Sequence, residues 1–418
     1  MTNDLAQRVD MFFSDVVLGF DATNISSKNV SMYSPDVGSL AESGQTFHRP
    51  MPIMTRTVDG RDVSSSYRTM TELTIPSTLT ESHLRSVPFR LTGTDLNNPH
   101  IMDSIVRGVK NQLSNKVDTL VAEKIADYGT LVVTNTGNID SYDDAAEADA
   151  LMLEQQATNG TRCMFLNPRM AKNLAGNLAG RETMTGAPMD AYSRSMLPAI
   201  AGFDTYRVDY AKSITAANIT NTYLINGGNQ DYTPSSKNNS GVPIDNRTQT
   251  LAVDSGTGAK AGDCFTIANV FSVGHVNKQS TGQLKTFRII SINSATSWEI
   301  APPIIPANGT DQEQQDYANV NTKPANNAAI TFLNTQTKPA SVFFEKDAVE
   351  IITCVFNIES FSEDGKKIRK AQTDSGLTIT MVSDSEIDTL RTNYRMFIWA
   401  NVEVLNYELA GIMLEGQT

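Results

Sequence analysis

Apolar residues recur at steps of three and four along one stretch of the chain: Met102, Ile105, Val106, Val109, Leu113, Val117, Leu120, Val121 and Ile125. That spacing keeps them on one stripe of a helix, with Arg107, Lys110, Asn111, Ser114, Lys116, Asp118 and Lys124 on the remainder. Asn98 and Pro99 supply a cap and a first helical residue, and Gly129 supplies a stop, so the pattern predicts one helix from Pro99 to Tyr128. At 1.5 Å per residue it is roughly 45 Å long, well beyond the usual globular helix, and no heptad extends it into a coiled coil. It reads as a spine. Gly108, Asn111, Ser114 and Asn115 are poor helix formers, which makes its centre the soft part.

Before the spine, Leu5, Val9, Phe12, Phe13, Val16 and Val17 predict a short amphipathic helix from Asp4 to Leu18. Gly19 to Gly44 is polar and aperiodic, an extended arm in need of a partner surface. Gln45 to Thr57 and Thr69 to Pro76 alternate as two strands around the turn chemistry of Asp59-Gly60, a long protruding hairpin, and His83 to Leu91 is a further strand. After the spine come a strand (TLVVT), a helix from Asp143 to Gln156, a strand (RCMFL), and a helix opened by Asn167-Pro168 that runs through Leu178 to a stop at Gly180. This is an α+β region.

From Ala211 the helical period disappears and Asn, Thr, Ser and Gly dominate. Short strands at Leu251–Val253, Cys264–Val270, Phe271–Val276, Leu284–Ile292, Trp298–Ile300 and Ala328–Leu333 predict a small antiparallel barrel. Within it Gly227 to Asn246 has no periodic pattern and is long for a loop in a compact fold, so it is expected to be functional, disordered or both. Long apolar strands then return at Ala348–Phe356, Leu377–Val382 and Met396–Val402, followed by VLNYELAGIML. A β-rich segment flanked by two halves of another domain is an insertion.

Charge and chemistry narrow the function. A formal net charge of −12 over 418 residues argues against a protein that grips a nucleic-acid backbone. The N-terminus has acids ahead of its apolar residues and no small-residue cleavage site, and no apolar run reaches bilayer length, which predicts a cytoplasmic protein without a membrane segment. Cys163, Cys264 and Cys354 are far apart and follow no metal-ligand spacing, as expected of reduced, buried thiols. His48, His83, His100 and His275 form no metal motif. Gly256 to Asp263 has glycines and a lysine but lacks the GK[ST] ending of a phosphate loop, no GxSxG occurs, and Cys163 has no base beside it. Asp143-Asp144 and the acids from Asp311 to Asp316 read as helix-start or solvated charge. No catalytic, cofactor or metal site is expected. What remains is surface that needs neighbours to justify its ordering: the arm, the hairpin and the barrel loop. Repeated self-association supplies such neighbours.

The order of these parts resembles the Hong Kong 97 phage coat-protein fold, and the insertion is similar to that of the coat proteins of short-tailed Salmonella phages. Local stretches carry the resemblance: GTLVVTN at Gly129–Asn135, AGFD at Ala201–Asp204, IDNR at Ile244–Arg247, YANVNT at Tyr317–Thr322 and GQT at Gly416–Thr418. The fold it implies is α+β, with an inserted all-β barrel domain. Its parts are an N-terminal arm (1–45), an extended loop (46–92), the spine helix with the first part of a peripheral domain (93–142), and the first part of an axial domain (143–210). The inserted barrel (211–342) and the returning strands of both host domains (343–418) complete it.

The resemblance implies a structural protein that forms hexamers and pentamers of an icosahedral virion shell. Assembly would occur in the host bacterial cytoplasm on a scaffolding protein, with a portal at one vertex and expansion when double-stranded DNA enters. It implies that the extended loop overlaps a neighbouring subunit and that the barrel loop touches an adjacent capsomer, where Asp231, Lys237, Asp245 and Arg247 are the candidate charges. Asp4, Asp10 and Asp15 are candidates to receive a basic scaffolding segment. The spine is expected to bend at Gly108, Asn111, Ser114 and Asn115 between immature and expanded shells. Another head or tail protein of a phage, or a glycan-binding or glycan-acting β-rich protein, are the alternatives.

Overall fold

The computed structural model describes residues 2–35, 46–67, 72–96, 98–156, 160–179, 197, 199–238, 240–356, 367–386 and 391–418. The expected arm beyond residue 35, the start of the hairpin's second strand and the Gly180 stop lie outside these. Two compact units form: residues 1–47, 77–121 and 350–403 make the first, and 48–76, 122–349 and 404–418 the second.

In the first unit, strands Ser31–Tyr33, Val349–Thr353, Arg391–Val404, Thr378–Glu386 and Lys367–Gln372 lie in that order, with Leu84–Thr92 also paired to Arg391–Val404. The N-terminal helix, Thr2–Thr23, buries Val9, Phe12, Phe13, Val16, Val17 and Phe20, and Phe12 meets Phe89 edge-on at 5.8 Å. It is longer than the pattern predicts because Gly19 does not end it. A Cβ there would come within 2.7 Å of the Lys110 side chain, so the missing methyl lets this helix pass close to the spine. The polar arm is likewise more structured than expected at its start: a turn at Ser26–Asn29 leads into Ser31–Tyr33, which pairs in parallel with 350–352. The strand Lys367–Gln372 escapes the hydrophobic pattern because it reads KIRKAQ. It is an edge strand, where charged side chains discourage further pairing.

The spine is one helix of 30 residues, Pro99–Tyr128, and the His100 N–H donates to the Asn98 Oδ1 at 3.1 Å, as a capping asparagine should accept. Burial deepens along it: Met102, Ile105 and Val106 are half-exposed, whereas Val109, Leu113, Val117, Val121 and Ile125 are buried.

In the second unit a five-stranded mixed sheet has the order Leu131–Thr134, Ala410–Leu414, Ser341–Glu345, Arg162–Leu166, Phe203–Arg207. Helices Tyr142–Glu154 and Pro168–Ala179 bury Ala145, Ala148, Met152, Met170 and Leu174 against Met164, Leu166, Phe343 and Met413. Both helices start on caps: the Ser141 side chain accepts from the Asp144 N–H, and the Asn167 Oδ1 accepts from the Met170 N–H at 2.8 Å. Cys163, Cys264 and Cys354 are buried and form no disulfide, and burial pushes the pKa of the Cys163 thiol up to about 11.

The inserted domain is a six-stranded antiparallel sheet in the order Gln249–Ala252, Ser297–Ala301, Ser280–Ser294, Cys264–Val273, Ala329–Phe332, Tyr223–Leu224. A bridge between Ile225 and Val253 joins its two edges, closing a barrel around Trp298, Phe265, Phe287 and Ile289. The two strands expected at Cys264–Val270 and Phe271–Val276 are one strand, bent where its register shifts beyond Thr266. Asn269 sits there at φ 64°. The chain enters the domain through Ser213–Ile214 and leaves through Lys338–Pro339, which pair antiparallel. The expected hairpin has a shorter first strand than its alternation predicts. Thr46–Pro50 pairs with Thr74–Thr78, and beyond Pro50 and Pro52, which lack the N–H a ladder needs, the described chain is irregular apart from a turn at Ser64–Ser66.

Candidate functional site

The seam that joins the inserted barrel to the axial sheet concentrates the buried charge of the second unit. Strand Ser280–Ser294 turns Phe287 and Ile289 into the barrel core and lays polar side chains on the host. The Arg288 guanidinium, 0% exposed, donates from Nη1 to the Gly129 carbonyl at 2.8 Å. Thr286 Oγ1 donates to the Thr130 carbonyl at 2.6 Å, and Thr130 donates from its hydroxyl to the Tyr407 carbonyl at 2.8 Å. Asp263 lies behind Arg288. Burial raises its pKa, opposed by hydrogen bonds from Asn334 and Lys260 and by the charges of Lys260 and Arg288.

A second cluster centres on Glu408, in the turn Tyr407–Leu409 whose start is capped by Asn406. Lys285 Nζ pairs with Glu408 Oε1 and donates to Gln155 Oε1 at 3.1 Å, while His275 Nε2 lies 3.1 Å from Glu408 Oε2. Asn319 adds a donor at 3.3 Å. Burial works against the Glu408 carboxylate, but Lys285 and His275 outweigh it and hold its pKa far below the ordinary glutamate value. The backbone N–H of His275 donates to the Gln155 carbonyl at 3.0 Å, so the end of the Tyr142–Glu154 helix, the barrel and the C-terminal turn meet at one buried polar knot. His275 is thus a buried histidine packed against the Glu408 carboxylate. Burial also depresses the nearby Lys278 amine to about 8, against the pull of Asp316 and Glu408.

The barrel loop is folded in its described residues around Asn246, which accepts from the Tyr232 hydroxyl and the Ser235 N–H, each at 3.0 Å. Of its candidate charges, Arg247 is only 7% exposed; it grips Asp245 through Nε and Nη2, donates to the Val404 carbonyl at 2.7 Å and covers the Tyr407 ring. Asp231 accepts from Gln314 at 3.1 Å and lies 3.8 Å from Lys323. Lys237 is exposed at the loop tip.

In the first unit Asp10 pairs with Arg369, Asp15 is exposed, and Asp4 lies in the helix with its side chain outside the described set. Gly108, Asn111 and Asn115 are exposed on the spine, whereas Ser114 is buried and its carbonyl accepts from Asn24 at 3.2 Å. The acidic cluster after Asp311 departs from the expectation of solvated charge: Asp316 is 3% exposed and faces Arg56 at 3.5 Å. Arg288, Lys285 and Glu408 carry no motif. The one signal is Arg288 inside the apolar run FRII, a cation where burial would otherwise forbid one. Among the described residues no three His, Cys, Asp or Glu side chains converge as metal ligands, and no helix is long and apolar enough to cross a membrane.

A spine helix, an axial sheet flanked by helices, an extended loop and a barrel inserted through a paired ribbon define a phage major capsid protein of the Hong Kong 97 type with an added β domain. The chain belongs to the P22 coat protein family: the sequence model of that family, described as P22 coat protein, gene protein 5, matches residues 1–416. Among solved structures it is similar to the coat protein I-domain of phage CUS-3, at 38% identity over 28% of this chain and 97% of that one, with a TM-score of 0.23. It is also similar to Mycobacterium phage Che8, at 10% identity over 93% and 90% of the two chains with a TM-score of 0.44. The capsid of cyanophage P-SCSP1u matches at 10% identity over 93% and 86%, with a TM-score of 0.42.

Proposed function

We propose that this coat protein builds an icosahedral shell from hexamers and pentamers, assembling on a scaffolding protein with a portal at one vertex in the bacterial cytoplasm and expanding as double-stranded DNA is packaged. The observation that carries the reading is the family match over nearly the whole chain, together with apolar side chains that stand exposed on the extended loop and the N-terminal helix. Tyr67 on the extended loop is 81% exposed, and Met11 and Leu18 on the N-terminal helix are exposed on one stripe. These are surfaces for further copies and for scaffolding.

In this reading Asp15 and Asp4 receive basic scaffolding groups directly, and Asp10 does so by giving up Arg369. Lys237 reaches toward a neighbouring capsomer while Asp231, Asp245 and Arg247 hold the loop beneath it. The axial sheet turns toward the capsomer axis, and the spine bends near Ser114 as the shell expands. A net charge of −12 keeps packaged DNA from adsorbing to the wall. The test is assembly of the purified chain with its scaffolding protein, followed by electron microscopy. Closed shells are expected, and rings, tubes or only monomers would overturn the proposal.

A further inference from the structure

We propose that the inserted domain aims the extended loop of its own chain, through a latch between Arg56 and the buried carboxylate of Asp316, and so fixes where the loop tip meets a second copy. This rests on the shell reading for its second half, and on the single chain for its first.

Three observations carry it. Asp316 closes the short helix Gln312–Asp316 on the surface of the barrel and is 3% exposed, and a carboxylate so placed is tolerated only with cations facing it. Arg56 is such a cation, with Nε 3.5 Å from Oδ1. Next to this pair Met51, Met54 and Leu73 from the loop pack on Ile305, Tyr317 and Tyr232 of the inserted domain. The loop therefore leaves its short ladder, whose last bond runs from the Met51 N–H to the Leu73 carbonyl at 2.8 Å, and turns onto the barrel. Past Pro52 no strand holds the described residues, so this contact sets the direction of the exposed segment Val58–Asp62 and of Tyr67.

The third observation is a cavity of about 60 Å³ beneath the contact, lined in part by Met51, Met54, Leu73, Ile305 and Tyr317. A void there removes part of the dispersion energy that would otherwise fix the packing, and methionines adapt to more than one arrangement. The ion pair then decides the geometry, and the apolar patch gives it a surface on which to pivot.

The test uses the full chain carrying Arg56→Met, with Asp316→Asn as a second variant and Met54→Ala as a third in case the buried amide at position 316 blocks folding. Hydrogen exchange on the unassembled chain is expected to quicken about tenfold at Met51, whose N–H makes the last ladder bond, with the barrel strand Cys264–Val273 unchanged. In assembly, closed shells are expected to give way to open or misshapen sheets. Unchanged exchange in Arg56→Met overturns the latch, and faster exchange with wild-type shells in normal yield overturns the aiming role. If the wild-type chain itself closes no shells, the shell reading fails, while the exchange result still decides the latch.

Discussion

Arg288 Nη1 lies 2.8 Å from the carbonyl oxygen of Gly129, so a buried guanidinium of the inserted domain closes the end of the spine helix. The carbonyls at a helix C-terminus carry partial negative charge and have no partner inside the helix. A residue more than 150 positions downstream supplies one. The barrel is thus bound to the host by the end of the spine as well as by the peptide chain at its two ends.

Replacing Arg288 with Met keeps volume but removes the donor and leaves Asp263 with less compensation. A loss of about 2–3 kcal/mol is expected, from the usual worth of a hydrogen bond to a charged group. Equilibrium urea unfolding of the full chain checks it, and a change below about 0.5 kcal/mol, the scale of an ordinary surface substitution, contradicts it.

Glu408→Gln strands Lys285 in the interior, at an expected cost of about 3–5 kcal/mol at neutral pH. The sign follows from the direction of the shift. The folded pKa of Glu408 lies below its unfolded value, so its contribution is whole above the ordinary glutamate range and drains as pH falls toward the folded value. The gap between wild type and variant should therefore hold from about pH 7 down to about pH 5 and narrow progressively below that, read as the difference in urea midpoint.

Lys278→Met should act in the opposite sense. The Lys278 Nζ is buried without a hydrogen-bond partner, and its folded pKa of about 8 lies below the free lysine value of 10.5. The unfolded chain binds the proton more tightly, so the burden is full below about 8 and fades as pH rises toward 10.5. A gain of about 1 kcal/mol at pH 7 that disappears near pH 10.5 is expected, measured by thermal unfolding across that range.

Two glycines of the spine predict opposite outcomes. A Cβ at Gly108 meets nothing within 4 Å, so Gly108→Ala should stabilise the helix by about 0.5–1 kcal/mol and, if the spine bends there, slow expansion without slowing assembly. A Cβ at Gly129 would stand 2.8 Å from the Ile125 carbonyl and 3.0 Å from the backbone of Ala410 and Gly411, so Gly129→Ala should cost about 2 kcal/mol. Calorimetry of both variants and time-resolved scattering of shells carrying Gly108→Ala separate the two effects.

The helices are legible in the sequence because their signals are local: Asn98-Pro99 and Asn167-Pro168 carry both the cap and the fixed φ in adjacent residues. The strand Lys367–Gln372 is not, since its position at a sheet edge is decided by Thr378–Glu386 and not by its own alternation. The seam is illegible for the same reason at greater range. Lys285 and Glu408 are 123 positions apart, and only the closure of the barrel and the return of the C-terminal strand bring them together. Arg247 stands out as a loop charge, yet the local pattern gives no sign that its guanidinium turns inward to the Val404 carbonyl and the Tyr407 ring.

The paired strands at Ser213–Ile214 and Lys338–Pro339 make the inserted barrel a module with its two leads side by side, about 5 Å apart as in any antiparallel pair. The host sees only a gap that a short turn can bridge, which makes this ribbon a docking port for foreign domains whose own termini are close. Excising the barrel would also uncover Glu408 and Gly129, whose partners leave with it. A clean graft therefore joins the ribbon and replaces Glu408 with glutamine in the same step.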